Sequence, residues 1–245
     1  MLILGIETSS AVSSIAFGER SGPIAALMVG RARGHAEFLM PAIRTLADQA
    51  GVSLGDVTCV ATGLGPGMFT SMRVGIATAK TMAQVLEVPV IGIPSLDVIA
   101  FGVRHSPKLI CACIDARREE VYAATYRQVP GGIQRVSDPQ VWEATRLCDE
   151  LAARKEDVLF VGDGARAHAA AFASLGEIAS ESTWTPAAGH LVELAVAKVE
   201  LEDFRPFAQL EPLYVRKTDA EIKWEQRGVT IERPMRVKTA KRGAR

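Results

Sequence analysis

Three glycines, Gly63, Gly65 and Gly67, surround Pro66 where a strand-like run gives way to a helix-like one. Backbone N–H groups in such a turn are unblocked, and the helix that follows adds a positive end, so an anion would be welcome there. The order of residues is not that of a phosphate loop. The G-x-x-x-x-G-K-[ST] pattern is absent, no lysine follows the glycines before Lys80, and the third glycine of G-x-G-x-x-G is missing. A tight turn that lets helix and strand approach closely fits the spacing better than phosphate capture.

Two acidic turns invite the same question. Glu7-Thr8-Ser9-Ser10 offers hydroxyls at one strand end, and Asp115-Ala116-Arg117 offers a carboxylate at another. Kinases use such groups to place a metal and a phosphate. Here the first carboxylate is the longer Glu and the second turn lacks glycine, so a productive phosphotransfer site is not expected. The alternatives are a hairpin capped by Ser and Thr and a solvated ion-pair cluster of Asp115, Arg117, Arg118 and Glu120. Gly162-Asp163-Gly164 opens a helix after a strand, where Asp163 could cap the helix. Neither G-x-S-x-G nor H-E-x-x-H occurs, and His35, His105, His168 and His190 lie in unrelated segments. No catalytic residue and no metal ligand is therefore assigned. Cys111 and Cys113 point to one face of a strand and are expected in the core.

The elements that must position these groups follow from periodicity. Strands are predicted near Leu2 to Glu7, Val12 to Phe17 and Ile24 to Val29, joined by Ser, Gly and Pro turns as an antiparallel meander. A helix from His35 to Ala50, the strand VTCVATGLG, a helix from Ser71 to Glu87 and the strand VPVIGI complete a first half. The second half begins after FGVRHSPK. LICACIDARREEVYAATY reads as two strands around a polar turn, DVLFVGDGARAHAAAF as strand, turn and helix, and Ala187 to Glu202 as a helix. A hairpin followed by α/β units thus recurs twice, which predicts two related lobes with a cleft between them.

Both first-half helices are broadly apolar. The helix from His35 carries Leu39, Ile43 and Leu46 within an arc about twice the roughly 100° stripe one core contact requires. The next carries Met72, Gly75, Ile76, Ala79 and Met82 on one side, with Arg73 and Lys80 opposite. Gly75, Ala79 and Ala83 form a small-residue seam. Either further layers of this chain cover the surplus, or a partner's helices do.

With 245 residues, 48% of them apolar, the chain can bury a full core. Lys plus Arg and Asp plus Glu both count 28, which excludes a global basic field for nucleic acid. Four cysteines without framework spacing and an apolar start interrupted by Glu7 predict a cytoplasmic protein. No apolar run approaches a bilayer span, so no membrane partner is expected. From Ile231 the chain carries six basic residues against one acidic, read as a flexible basic extension.

In this order and spacing, MLILGIETSS with VSSIAF, RGHAEFLMPAI, GLGPGMFTSMRVGIATAK, IGIPSLD and DARREEVYAATY resemble the bacterial TsaB (YeaZ) family. The resemblance covers residues 1–127, continues at VGDGA (Val161 to Ala165) and returns at EPLYVRK (Glu211 to Lys217). It implies an α/β fold of two actin-like, sugar-kinase-like lobes (ASKHA, RNase H-like), each a mixed sheet with helices. Residues 1–103 would form the first lobe, 104–215 the second with its last helix packed back on the first, and 216–245 a basic tail.

By function, the resemblance implies a non-catalytic subunit that dimerises with and activates a TsaD-type threonylcarbamoyltransferase. With a TsaE-type ATPase, the complex makes threonylcarbamoyladenosine beside the tRNA anticodon, so tRNA is met indirectly. A homodimer in isolation is also implied. The partner surface would be the helices from His35 and Ser71, through Leu39, Ile43, Leu46, Met72, Gly75, Ile76, Ala79 and Met82, rimmed by Arg73 and Lys80. No cofactor of its own is implied beyond a weak vestigial ATP/ADP cleft at Thr8, Ser9, Ser10, Gly65, Gly67, Gly162, Asp163 and Gly164. The alternative is a weak autonomous ATP-hydrolysing enzyme using that cleft. The catalytic relative holds its metal through HxxxH, whereas here Leu39 stands four residues after His35. Met68, Ser71 and Glu119 replace the family's usual Ser, Gly and Gly.

Overall fold

The structure is a computed structural model that describes residues 1–30, 34–204 and 209–216. Met1–Val215 forms one compact unit, and of the unit that follows only Arg216 is among the described residues. The basic extension read from the sequence lies outside them. The chain runs β1 (Ile3–Glu7), β2 (Val12–Glu19), β3 (Gly22–Gly30), α1 (His35–Ala50), β4 (Cys59–Gly63), α2 (Phe69–Leu86), β5 (Val90–Ile93) and α3 (Ser95–Phe101). It continues through β6 (Leu109–Arg117), β7 (Glu120–Val129), β8 (Gly132–Arg135), β9 (Gln140–Glu143), α4 (Ala144–Ala152) and β10 (Val158–Val161). The last elements are α5 (Asp163–Ala167), α6 (Ala169–Phe172), β11 (Gly176–Ile178) and α7 (Ala188–Glu200).

Two mixed sheets share one topology. The first has the order β3-β2-β1-β4-β5, with the meander antiparallel and β1, β4 and β5 parallel. The second has the order β11-β10-β6-β7-β8, with β9 also on β7, and repeats the pattern. This is the two-lobed actin-like fold.

Strand alternation decides the layers. Leu4, Ile6, Ile15, Phe17 and Val60 face α1 and α2, whereas Ile3, Ala16, Cys59 and Ala61 face α3 and α7. With both faces covered, β1 is buried from end to end, as central strands of such sheets are. β6 is likewise buried from Leu109 to Ile114, and only its end at Asp115 to Arg117 emerges. Cys111 and Cys113 lie with α4 and α6 on one side, while Ile110, Ala112 and Ile114 meet α3 on the other.

α3 therefore has a neighbour on each side, Val98 in the first lobe's core and Leu96, Ile99 and Ala100 in the second's. Its Asp97 carboxylate accepts the Tyr126 hydroxyl at 2.8 Å and a bidentate pair from Arg135, which ties the connecting helix to β7 and β8. No helix among the described residues is long and apolar enough to cross a membrane.

Candidate functional site

The turn after β1 is fully buried, from Glu7 to Ser10. Glu7 Oε1 accepts the Ser9 N–H at 2.7 Å, and Oε2 accepts the Ser95 hydroxyl at 2.9 Å. Ser95 Oγ in turn accepts the Gly65 N–H, Ser95 N–H bonds Gly65 O, and Met68 N–H bonds Ser9 O at 2.7 Å. One polar knot thus joins the hairpin turn, the glycine corner and the start of α3. Burial pushes the Glu7 carboxyl above its ordinary value, and the bonds from Ser9 and Ser95 offset part of that rise. Ser95 was not singled out in the sequence; its one signal is a serine placed after Pro94 at a helix start.

The glycine corner is packing. A Cβ on Gly67 would overlap the Ser9 carbonyl, and one on Gly65, at φ 83°, would overlap Met72 Sδ. Thr8 and Ser10 are equally engaged. Thr8 Oγ1 donates to Ser71 O at 2.7 Å, and Ser10 Oγ bonds the Val12 backbone. Ser9 Oγ is buried without a hydrogen-bond partner among the described residues.

The second lobe repeats the arrangement. Gly162, at φ 106°, and Gly164 stand directly against the backbone of Cys113 to Asp115. Asp163 Oδ1 accepts the Asp115 N–H at 3.0 Å, while burial and the neighbouring Asp115 charge push the Asp163 carboxyl up. At the tip of this hairpin Arg117, Arg118 and Glu119 all take left-handed conformations, with φ of 61°, 56° and 63°. That geometry favours glycine. Glu119 therefore adopts a conformation that a glycine would take without strain.

The remaining candidates for chemistry are enclosed. His35 opens α1, but it is only 7% exposed, and its Nδ1 bonds Ser13 Oγ, itself 3% exposed. A serine–histidine pair needs access to a substrate carbonyl to act as nucleophile and base, and this one is covered. Cys111 and Cys113 are fully buried with sulfurs 3.6 Å apart, and the hydrogen bond with the Cys111 thiol, together with burial, holds Cys113 protonated. Among the described residues no group of His, Cys, Asp and Glu could hold a metal ion.

Most of the residues expected to form a partner surface lie inside the first lobe. Leu39, Ile43, Leu46, Ile76, Ala79 and Met82 all lie in the first lobe's core, and Met72 and Gly75 are buried as well. α1 and α2 pack on each other as well as on the sheet, so most of their wide apolar arcs is covered within the chain. The small-residue seam serves β1 and β4: Gly75 leaves room for Thr8 beneath the helix. Of the ten residues named, only Arg73 is exposed, and Lys80 is half-buried.

The outer face is made by their neighbours. On α2 the exposed residues are Phe69, Thr70, Arg73, Ala77, Thr81, Gln84 and Val85, with Val85 at 74%. On α1, Ala36, Met40 and Pro41 are exposed beside Glu37, Arg44, Thr45, Asp48 and Gln49. Arg73 is anchored by aromatic rings. Its guanidinium lies 3.8 Å from the Phe69 ring centroid, and Nε donates to the Tyr214 hydroxyl at 3.0 Å. Tyr214 belongs to a terminal strap held by buried Leu210 and by a bond from Leu213 N–H to Leu64 O.

Two actin-like lobes whose hairpin turns are each packed against a strand-to-helix turn define the class of this protein. The family described as TsaD, tRNA N6-adenosine threonylcarbamoyltransferase, matches residues 7–224. The chain is 29% identical over 228 residues to the Bacillus subtilis tRNA threonylcarbamoyladenosine biosynthesis protein TsaB, covering 91% of this chain and 98% of the relative. It is 35% identical over 135 residues to TsaB of Escherichia coli, 54% of this chain and 58% of the relative. The solved structure of YeaZ from Pseudomonas aeruginosa superposes with a TM-score of 0.75 at 26% identity, over 87% of this chain and 99% of that one. The chain belongs to this family, in its TsaB/YeaZ branch.

Proposed function

We propose that this chain is a non-catalytic subunit in tRNA threonylcarbamoyladenosine formation, binding and activating a TsaD-type transferase that works with a TsaE-type ATPase. Family membership supports the pathway. One observation supports the role: the exposed face of α2 runs from Phe69 to Val85 with no acidic residue and only two charges, exposed Arg73 and half-buried Lys80. An exposed helix that meets only water carries charged residues on its outer face. A low-charge face with an arginine held against two aromatic rings has the composition of a contact surface. The contacts then come from Phe69, Arg73, Ala77, Thr81 and Val85 rather than from the buried positions beneath them.

The turns support the same reading. Their glycines are occupied by backbone packing, and the hydroxyls of Thr8 and Ser10 already have partners. Nucleotide contact at Ser9, Gly65, Gly67 or the Gly162-Asp163-Gly164 turn is accordingly weak in the isolated chain.

The test is co-purification with the TsaD-type enzyme, followed by light scattering on a sizing column. Ala77→Arg places a long charge on the exposed face without touching the core. The expected result is an unchanged melting curve and loss of the complex. A complex of wild-type strength with Ala77→Arg, or robust ATP turnover by the chain alone, overturns the reading.

A further inference from the structure

The chain is neutral as a whole, but its charges are unevenly spread. Residues 233–245 hold six of the 28 basic residues, Arg233, Arg236, Lys238, Lys241, Arg242 and Arg245, and no acidic one. Residues 1–232 therefore carry 22 basic residues against 28 acidic, a net charge of −6 that the last thirteen residues cancel. Charge gathered in this way at one end of a sequence points to a polyanionic partner. Met235 and Val237 are the only large apolar residues of the segment, too few for a core, so cationic charge is what it offers.

Cations of the folded body are matched by carboxylates. Arg20 pairs with Glu200 at 2.7 Å, Lys108 with Glu177 at 2.8 Å and Arg127 with Glu156 at 2.6 Å. A net-negative body with paired cations repels a polyanion, so attraction for one is concentrated after Glu232. The point where that part of the chain leaves the fold is fixed. Leu210 is buried, Leu213 N–H bonds Leu64 O at 2.8 Å, and the Tyr214 ring lies 5.5 Å from that of Phe69 in the first turn of α2. Arg216, two residues on, is the last described residue. The exit therefore lies at one end of the face proposed to meet the transferase. α2 has 18 residues and is about 27 Å long, whereas the chain from Arg216 to Arg233 can span up to about 60 Å. The cations can thus reach past a subunit docked on α2.

We propose that residues 233–245 are an RNA-binding arm, which contacts the phosphate backbone of the tRNA being modified while the transferase occupies the α2 face. Which polyanion the arm meets rests on the function proposed above; that it meets one rests on charge and attachment alone. RNA rather than a lipid surface is named because the family acts on tRNA. Four of the six cations are arginine, whose planar fork matches two phosphate oxygens at once. Contacts of this kind carry no sequence information. They hold tRNA against the complex and leave the choice of nucleotide to the transferase. Each neutralised phosphate releases condensed counterions, so six contacts give a slope of log affinity against log salt of about −4 to −5.

The experiment uses the full chain and an unmodified tRNA transcript, with binding followed by fluorescence anisotropy between about 50 and 200 mM salt. One variant replaces all six cations of residues 233–245 with glutamine, and a second keeps their composition in shuffled order. The parent and shuffled chains are expected to share a slope of about −4 to −5, and the glutamine variant to bind about tenfold or more weakly at the lowest salt with a slope shallower by about 4. A glutamine variant with the parent's affinity and slope overturns the proposal, as does a parent chain that binds no tRNA at about 50 mM salt. Loss of binding in the shuffled chain overturns backbone contact in favour of a specific sequence. Vesicles containing phosphatidylglycerol supply the competing polyanion; if they bind through the six cations and tRNA does not displace them, the partner is a membrane and the proposal fails. The glutamine variant is expected to co-purify with the TsaD-type enzyme as the parent does, and failure to do so assigns the arm to the protein contact instead. Ala77→Arg, alone in solution, is expected to bind tRNA like the parent even as it loses the transferase, so the two proposals fall independently.

Discussion

Gly75 offers the most direct test of how the first lobe is built. It lies in the middle of α2, where an exposed glycine exchanged for alanine would gain about 1 kcal/mol of helix stability. The structure predicts the opposite sign. A Cβ at this position would stand 2.3 Å from Thr8 Oγ1, against an ordinary contact of 3.4 Å or more. Thr8 cannot give way freely, because it is buried and its hydroxyl donates to Ser71 O at 2.7 Å in the first turn of the same helix. Rotating it away forfeits a bond worth about 1 kcal/mol and leaves a buried carbonyl without that donor. Forcing a methyl into a filled core adds about 1 to 3 kcal/mol. After subtracting the propensity gain, Gly75→Ala is expected to lose about 1 to 3 kcal/mol, a fall in Tm of roughly 2 to 12 °C for a chain of this size. Thermal melts followed by circular dichroism measure it. A double-mutant cycle isolates the cause, since Thr8→Ala vacates the space the new methyl needs. The double variant should therefore be more stable than the sum of the singles by about 1 kcal/mol or more. Gly75→Ala as stable as the parent, or a cycle additive to within about 0.5 kcal/mol, would refute the packing argument.

Two further outcomes follow from the same lobe. The buried Glu7 carboxyl keeps its proton to higher pH in the folded chain than in the unfolded one, whose ordinary value is 4.5. The folded state thus binds more protons above that value, so stability is greatest at low pH, declines as pH rises from 4.5 toward the raised folded value and is flat beyond it. Glu7→Gln, whose amide can still bond Ser9 and Ser95, should flatten the decline in Tm as pH rises above 4.5; an unchanged slope shows that another group causes it. Leu210→Ala should destabilise by about 2 to 5 kcal/mol in urea titrations, because this leucine is 2% exposed and fills the hollow over Gly92 beside Leu64. A loss below about 1 kcal/mol would mean that the terminal strap closes over the gap at little cost.

Elements with a clean period were legible in the sequence. α1 runs from His35 to Ala50 as its periodicity predicts, and β1, β2, β4 and α7 fall within two residues or so of their predicted spans. α3 was not assigned, and its composition explains why. Leu96, Val98, Ile99, Ala100 and Phe101 are all buried because two cores flank the helix, so it shows no polar face and no period. β8 and β9 are too short, at four residues each, to show a period, and α4 is a helix of nine residues whose buried Ala144, Leu147 and Leu151 span only two turns.

What the residues determined by themselves was chemical content. They supply no phosphate-loop order, no metal-ligand spacing and no exposed nucleophile with its base, while MLILGIETSS and GLGPGMFTSMR mark the family. Which apolar arc meets which neighbour was decided only in three dimensions. The arcs of α1 and α2 are too wide for one sheet, and the sequence leaves the second and third neighbours unnamed. The tertiary structure names them: each helix covers the other, Thr8 lies under Gly75, and Leu210 comes back across the chain to close the edge of the core. Periodicity records how much surface a helix must bury, but burial is a relation between segments distant in the chain, so only their packing identifies the residues left facing outward.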